Sequence, residues 1–151
     1  MRIIHVAGRS NSGKTTFIKN LIPELNKLGH VGVIKHLGDH EYILEEGKDT
    51  TGFFDAGAQI SIGVDISKSV IAMRKNSLDE MLLFLFQQGM DFAIIEGFKK
   101  RSFPKIVIGD LHAEKSILTN PDIATVITSL DLFENFHHKI STGADAYVNG
   151  E

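Results

Sequence analysis

The first 35 residues alternate between short apolar runs and a segment in which apolar positions recur at helical spacing. Residues 3–7 form an apolar run with one histidine, and a glycine-rich turn follows directly. From residue 15 to residue 28 apolar positions recur every three or four residues, which predicts an amphipathic helix. Pro23 predicts a kink or an early end in this helix, and Gly29 predicts its stop. Residues 31–35 predict a second strand, parallel to the first.

The middle of the chain is more polar and its periodicity is weaker. Residues 36–48 predict a loop, and residues 49–58 predict a short helix. Residues 61–64 and 69–73 are rich in β-formers and are separated by a turn, which predicts a small antiparallel hairpin. Ser77 followed by Glu80 is a capping box before an apolar helical stretch that ends at Gly89.

The last third begins with residues 92–95, a fully apolar run that is typical of a central parallel strand buried on both faces. Residues 105–108 and 124–128 predict further strands, and residues 130 to about 138 predict a helix. Strands that alternate with helices indicate an α/β three-layer domain. Its central sheet should be mostly parallel and flanked by helices, with the small hairpin attached.

Composition narrows the class of protein without changing this picture. A length of 151 residues predicts a single domain over residues 1–151. No apolar run approaches the roughly 20 residues that cross a bilayer, and the first strand leaves no room for a secretory signal, so we expect a cytoplasmic protein. The net charge of −3 argues against general nucleic-acid binding. Cysteine is absent, which excludes disulfides and thiol catalysis.

The glycine-rich turn carries the clearest chemical signal. Its residues Gly-Arg-Ser-Asn-Ser-Gly-Lys-Thr, at positions 8–15, match the P-loop pattern G-x-x-x-x-G-K-[ST]. Glycines let backbone N–H groups point at the β-phosphate, and the following helix adds its positive dipole end. The lysine would bridge the β- and γ-phosphates, and the threonine hydroxyl would coordinate Mg²⁺. The sequence therefore predicts a P-loop NTPase fold that binds a nucleoside triphosphate with Mg²⁺. The expected binding residues are Gly8, Asn11, Ser12, Gly13, Lys14, Thr15 and Thr16.

A P-loop needs an acidic residue at the end of another strand to hold Mg²⁺, directly or through water. Glu96 ends the apolar run of the last third and is the candidate; the alternative is a surface carboxylate at a strand end. Asp91 begins the same strand and belongs at the opposite edge of the sheet. Ligands of open α/β sheets lie beyond the carboxyl ends of the strands. Asp39, Glu41 and Asp49, which follow the second strand, are therefore candidates for contact with water or Mg²⁺.

Two further features are each open to two interpretations. Lys99, Lys100, Arg101 and Lys105 form a basic cluster that either contacts an anionic ligand or partner, or is a solvated loop. Asp131 ends the sequence Thr-Ser-Leu-Asp, which has the outline of the guanine-binding element [NT]-K-x-D without its lysine. Asp131 would accept hydrogen bonds from guanine, or it would be an aspartate favoured by the dipole in the first turn of a helix.

With these motifs in place, the chain resembles the MobB family, P-loop GTP-binding proteins of molybdopterin guanine dinucleotide biosynthesis. The resemblance spans most of the chain and rests on an ordered set of segments. They are the P-loop with the next threonine (8–16), Val-Ile-Lys-His (33–36), Gly-Lys-Asp-Thr (47–50), Ala-Gly-Ala (56–58), Ile-Glu-Gly-Phe-Lys (95–99) and Pro-Lys-Ile (104–106).

The resemblance implies a homodimeric GTP-binding protein with weak GTPase activity that assists the guanylyltransferase joining GMP to molybdopterin. By position it implies that Lys14 and Thr15 hold phosphate and Mg²⁺, that Asp49 lies near the γ-phosphate, and that Glu96 is the Walker B carboxylate. Relatives commonly place Arg and His between the Asp-[ST] pair and Ala-Gly-Ala. This chain has Thr-Gly-Phe-Phe-Asp at positions 51–55, so the basic loop after Gly97 would have to compensate.

Two other classes of function use the same loop. A small-molecule kinase would transfer the γ-phosphate of ATP to an acceptor. Kinases usually clamp the transferred group with several arginines, whereas only Arg9, Arg74 and Arg101 follow Arg2 here, and they do not cluster. The third class is an interaction module that hydrolyses almost no nucleotide and signals through the order of a loop.

Overall fold

The computed structural model describes residues 1–38 and 40–137. Its elements, in chain order, are β1 (Arg2–Ala7), α1 (Lys14–Asn26), β2 (Val31–Lys35), α2 (Asp49–Asp55), β3 (Ile60–Val64), β4 (Ser69–Met73), α3 (Leu78–Gln87), β5 (Phe92–Glu96), β6 (Lys105–Val107), β7 (Ser116–Thr119) and α4 (Ile123–Thr128). In this part of the chain, five strands form a parallel sheet in the order β2-β5-β1-β6-β7. A separate antiparallel sheet consists of β3 and β4. The predicted architecture and the hairpin are confirmed.

The sheet is buried on both faces, as the apolar runs of β1 and β5 predict. On one face Ile4 and Val6 belong to a core that includes Leu21 and Leu25 of α1. On the other face Ile3 belongs to a second core that includes residues of α3. Each fully buried side chain of this size contributes about 2 kcal/mol. The two layers of helices therefore fix β1, and with it the loop that follows β1.

Helices α1 and α3 follow their sequence signals. Pro23 lies inside α1, and this helix ends at Asn26, two residues earlier than its apolar pattern predicts. The N–H of Leu28 donates to the Leu25 carbonyl, so the chain tightens into a turn there. The capping box of α3 is formed, because Ser77 Oγ accepts from the backbone N–H of Glu80 at 3.2 Å and donates to the Glu80 carboxylate at 2.9 Å.

Two predictions about the last third are wrong. Residues 124–128 form a helix, α4, and not a strand. Asp122 caps this helix by accepting from the backbone N–H of Thr125 at 2.7 Å, and Val126 is buried in the core that α1 shares. The β-branched run favours a strand by propensity, but the tertiary contacts of its helical face prevail. The outer strand β7 was not predicted, because it is short and has polar ends.

The helix predicted from residue 130 to about 138 is also wrong in the described part. Leu130–Leu132 form only a single 3₁₀ turn. The chain is then extended, and the Ile3 N–H donates to the Glu134 carbonyl at 2.9 Å while the Phe136 N–H donates to the Met1 carbonyl at 2.8 Å. Hydrogen bonds with the amino end of β1 and burial of the Phe133 side chain outweigh helix formation. His138 lies outside the described residues.

Within the residues that the structure describes, no helix combines the length and the apolarity that crossing a bilayer requires.

Candidate functional site

The carboxyl ends of three neighbouring strands lie side by side at one edge of the sheet. β1 leads into the glycine-rich loop, β5 ends at Glu96 and β2 ends at Lys35. Glu96 pairs in register with Val6 on one side and with Lys35 on the other. An open cleft of about 1020 Å³ lies above this edge. Its walls are the glycine-rich loop, the start of α1, the end of β2 with residues 36–38, and the segment 96–101.

The glycine-rich loop has a backbone that other residues would not tolerate. A Cβ at Gly8 would collide with the carbonyl oxygen of Ile108, which directly follows β6, and with Ser12 Oγ. Gly13 has φ of 92°, in the left-handed region that favours glycine. The hydroxyl of Ser12 is buried inside the loop, without a hydrogen-bond partner in the described structure. A ligand oxygen in the loop would give this buried group a partner.

The amino end of α1 opens into the cleft without a cap. Its N-cap residue is Gly13, which has no side chain, whereas α3 and α4 are capped by Ser77 and Asp122. Free N–H groups at a helix start attract anions. Lys14 Nζ lies over the loop and donates to the Arg9 carbonyl at 2.6 Å. Partial burial lowers the pKa of Lys14; the Glu96 carboxylate opposes this shift, and the charges of Lys99 and Lys35 add to it.

Thr15 and Glu96 meet at the base of the cleft. The Thr15 hydroxyl lies 3.4 Å from Glu96 Oε1 and 3.5 Å from Oε2. A strong hydroxyl-to-carboxylate hydrogen bond is shorter, about 2.6 Å. Two neighbouring oxygen ligands of an octahedral Mg²⁺, each about 2.1 Å from the metal, lie about 3 Å apart. A hydroxyl and a carboxylate at this separation are oxygen donors of the kind that Mg²⁺ takes as ligands.

His5 supports the turn after Glu96 from inside the sheet. Its side chain is fully buried, and Nε2 lies 2.6 Å from the Gly97 carbonyl oxygen. Because a carbonyl only accepts, Nε2 carries the proton. Burial lowers the pKa of His5; the hydrogen bond to Gly97 opposes this shift, and the charges of Lys105 and Arg101 lower the pKa further. A neutral imidazole therefore holds the Gly97 backbone in place.

The predicted basic cluster divides into two parts. Lys99, Lys100 and Arg101 line the cleft. The Arg101 guanidinium forms a two-point ion pair with Asp79 of α3 and lies over the Phe103 ring. Lys105 is not part of the cluster, because it is only 2% exposed and its Nζ donates to the Arg101 carbonyl at 2.8 Å. Its position on β6, beside β1, places it in the interior.

The structure does not bring Asp131 to the cleft. Asp131 Oδ1 lies 3.5 Å from Arg2 Nη2, and Arg2 begins β1, whereas the glycine-rich loop follows the end of β1. A strand of six residues is about 20 Å long, so Asp131 lies at the opposite edge of the sheet. The guanine-binding interpretation depended on a strand before Asp131. Because that segment is the helix α4, the chain reaches the amino edge instead.

Asp49 and Glu41, two of the acidic candidates after β2, are also outside the cleft. Asp49 begins α2 with an exposed side chain and is not among the residues that line the cleft. Glu41 is exposed in the loop before α2, and Asp39 lies outside the described residues. Among the proposed carboxylates that the structure describes, Glu96 is the one that lines the cleft.

Three residues of this region were missed by the sequence analysis. Lys35 lines the cleft, and its Nζ lies 3.7 Å from Glu96 Oε1. It carried the same signal as Glu96, a charged residue at the end of a strand. His5 was hidden in an apolar run. Asn120 fixes the loop beside Ser12 by accepting from the Gly109 N–H at 2.7 Å and donating to the Gly109 carbonyl at 3.1 Å. No local pattern marks this contact.

Comparison with known proteins places the chain in a family. The model of the family described as "Molybdopterin guanine dinucleotide synthesis protein B" matches residues 3–129. The chain belongs to the MobB family. The resemblance found in the sequence motifs is thereby confirmed. A probable molybdopterin-guanine dinucleotide biosynthesis adapter protein of Bacillus subtilis (strain 168) is 38% identical over 129 residues, which cover 83% of this chain and 75% of the relative.

Other MobB relatives agree in sequence and in structure. A putative adapter protein of the same biosynthesis from Methanocaldococcus jannaschii is 37% identical over 112 residues, or 72% of this chain. These residues span 47% of that relative, about half of its length. The crystal structure of Bacillus subtilis MobB superimposes with a TM-score of 0.65 at 26% identity, covering 90% of this chain and 100% of that one. The three-layer fold is thus the MobB fold.

Proposed function

We propose that this MobB-family chain binds GTP with Mg²⁺ in the cleft and acts as an adapter in molybdopterin guanine dinucleotide biosynthesis. One observation carries the binding proposal, the convergence of three features: the uncapped start of α1, the Lys14 ammonium group, and the oxygen pair of Thr15 and Glu96. The helix start and the lysine compensate phosphate charge. The oxygens suit Mg²⁺, which takes oxygen ligands in octahedral geometry.

The residues around the cleft also support slow hydrolysis. Bound Mg²⁺ would neutralise charge that develops on the β- and γ-phosphate oxygens. Lys14 would bind the same phosphates, Thr15 would contribute a metal ligand, and Glu96 would hold the metal or one of its waters. An arginine at the γ-phosphate typically accelerates hydrolysis 10³- to 10⁵-fold. Arg101 lines the cleft but is paired with Asp79, and Arg9, in the glycine-rich loop, lies 3.5 Å from Asp110. Because neither arginine is free to stabilise the γ-phosphate, we expect the GTPase activity to be weak.

The positions of the arginines argue against a small-molecule kinase. Kinases usually place several cationic side chains around the phosphoryl group that they transfer. Arg74 is remote from the cleft, because its guanidinium lies over the Phe54 ring and donates to the Phe54 and Ala58 carbonyls. In the described residues, no segment with several arginines faces the glycine-rich loop.

The choice of GTP and the adapter role rest on family membership. The relatives named above are adapter proteins of molybdopterin guanine dinucleotide biosynthesis, a product that contains a guanine nucleotide. The partner we propose is the guanylyltransferase that joins GMP to molybdopterin. Guanine is bound without Asp131, since that residue lies at the other edge of the sheet.

We propose a homodimer formed through the β3–β4 hairpin. One face of the hairpin carries Ile60, Ile62 and Val64 with Ile71 opposite Ile62, and these side chains are between 41% and 77% exposed. The other face packs on α2, where Ser61 Oγ donates to the Thr50 carbonyl at 2.7 Å. An isolated two-stranded sheet is marginally stable, and an apolar patch of this kind marks an interface. A second copy of the chain would cover it.

Two measurements test the proposed function. Competition binding with GTP, ATP and GDP in the presence of MgCl₂ identifies the nucleotide, and we expect GTP to be preferred. Formation of molybdopterin guanine dinucleotide by the guanylyltransferase is then measured with the parent chain, with Lys14→Ala and without either. We expect only the parent to increase the rate at limiting GTP. An ATP preference, or equal stimulation by the Lys14 variant, would refute the GTP-dependent adapter role.

A further inference from the structure

Lys35 is a second lysine of the nucleotide cleft, and it belongs to neither the glycine-rich loop nor the basic segment after β5. It is the last residue of β2, it lines the cleft, and its side chain is 50% exposed. Its Nζ lies 3.7 Å from Glu96 Oε1. We infer that Lys35 is a phosphate-binding residue that contacts the γ-phosphate and distinguishes a triphosphate from a diphosphate. This inference rests on the proposed binding of a nucleoside triphosphate with Mg²⁺.

The strand order determines which phosphate Lys35 faces. β5 lies between β1 and β2, and Lys35 is in register with Glu96, so both side chains point to the same face of the sheet. Neighbouring strands are about 4.8 Å apart, which puts the end of β2 about 10 Å from the end of β1. The β-phosphate belongs above β1, in the glycine-rich loop. Lys35 would therefore approach the phosphates of a bound nucleotide from the side of Glu96 that faces away from β1.

A Mg²⁺ ion held by Thr15 and Glu96 would bring Lys35 within reach of the γ-phosphate. Mg²⁺ in a P-loop site bridges oxygens of the β- and γ-phosphates. Oxygens that share one Mg²⁺ lie about 3 Å apart, so a metal on Thr15 and Glu96 would bring the γ-phosphate close to the Glu96 carboxylate. Lys35 Nζ is already 3.7 Å from that carboxylate. A rotation of its flexible four-carbon stem suffices to reach a γ-phosphate oxygen.

The ion pair with Glu96 is too weak to account for a lysine at position 35. An exposed lysine at 3.7 Å from a carboxylate contributes between about 0 and 1 kcal/mol to stability. Lys35 also adds to a concentration of positive charge, because Lys14 and Lys99 line the same cleft. Cations gathered in one cleft repel one another, and a ligand with several negative charges relieves that repulsion.

The test compares a triphosphate with a diphosphate. Calorimetric titrations in MgCl₂ use the slowly hydrolysed imido analogue of GTP and, separately, GDP; the imido analogue of ATP and ADP complete the set. For Lys35→Ala we expect the affinity for the triphosphate analogue to fall roughly 10- to 100-fold and the affinity for the diphosphate to change less than about 2-fold. Lys99→Ala removes the same charge from another lysine that lines the cleft, in the segment after β5. It should weaken both ligands by one similar, smaller factor.

Each possible result of these titrations either supports or overturns the inference about Lys35. Selective loss of triphosphate binding in Lys35→Ala alone supports the inference. Equal loss for both ligands, no loss, or the same selective loss in Lys99→Ala overturns it and leaves nucleotide binding by the parent intact. If the parent binds none of the four nucleotides, the proposed function falls, and this inference falls with it. Thermal unfolding verifies the fold of each variant, and Lys35→Gln replaces the alanine variant if that one unfolds.

Discussion

The Thr15 hydroxyl lies 3.4 Å from Glu96 Oε1, although 81 positions separate the two residues in the sequence. Thr15 is in the first turn of α1 and Glu96 ends β5, and the two elements meet because β1 and β5 are neighbours in the sheet. The distance is too long for a strong hydrogen bond and short enough for two oxygens that share a cation.

Glu96→Gln should retain GTP but lose Mg²⁺-dependent hydrolysis by at least about 10-fold, because an amide holds Mg²⁺ less well than a carboxylate. Single-turnover hydrolysis at saturating nucleotide is the measurement, with binding measured in parallel. Asp91→Asn is the matched control, since it makes the same chemical change near the other end of β5. Equal hydrolysis by Glu96→Gln and the parent would remove Glu96 from the mechanism.

Lys14→Ala should weaken GTP and GDP together by roughly 100-fold, which corresponds to about 2.7 kcal/mol. Lys14 Nζ lies over the loop, where the β-phosphate of either ligand would lie under the proposed function. Lys19→Ala serves as the control, because Lys19 is an exposed lysine of the same helix that does not line the cleft. Calorimetry on folded protein checks this prediction, and unchanged affinity in Lys14→Ala would contradict phosphate binding by this loop.

Asp131→Asn should leave the selectivity among GTP, ATP and XTP as it is in the parent. An aspartate that bound guanine would shift preference towards XTP when changed to asparagine, but Asp131 pairs with Arg2 at the amino edge of the sheet. Competition binding with the three nucleotides is the measurement. A gain in XTP affinity would show that residues near Asp131 reach the base after all.

His5→Gln should reduce the pH dependence of stability. The pKa of His5 is lowered in the folded chain, mainly by burial, so the unfolded chain binds the proton first as the pH falls below about 6.5. The parent therefore keeps this stability above that pH and loses up to about 1.4 kcal/mol per pH unit below it, until the lower folded pKa is reached. Denaturant unfolding at pH 7.5, 6.0 and 5.0 compares the slopes. Identical slopes would mean that another group titrates.

Ile62→Lys should convert a homodimer into a monomer, because it places a charge at the centre of the exposed hairpin face. Sedimentation velocity measures the oligomeric state over a range of concentrations. Leu28→Lys is the control, since Leu28 is 57% exposed but lies after α1, away from the hairpin. A monomeric parent, or a dimer that survives Ile62→Lys, would exclude the hairpin interface.

Local sequence patterns predicted most of the elements that shape the cleft. β1, the glycine-rich loop and α1 follow one another directly, so apolar spacing and glycine positions suffice to predict them. Glu96 was found because a carboxylate ended a buried strand. The same reasoning failed at residues 124–128, where β-branched residues form a helix. The contacts of this helix with the core explain its conformation, and they cannot be read from the local sequence.

The sequence by itself determined the glycine-rich loop, the parallel sheet and the family, because each depends on residue types at short, fixed spacings. The tertiary structure alone decided which distant groups share the cleft. It placed Lys35 beside Glu96, buried Lys105, and moved Asp131 to the opposite edge of the sheet. The reason is physical: strand order and the return path of the chain are set by burial and pairing over the whole domain, and no local period records them.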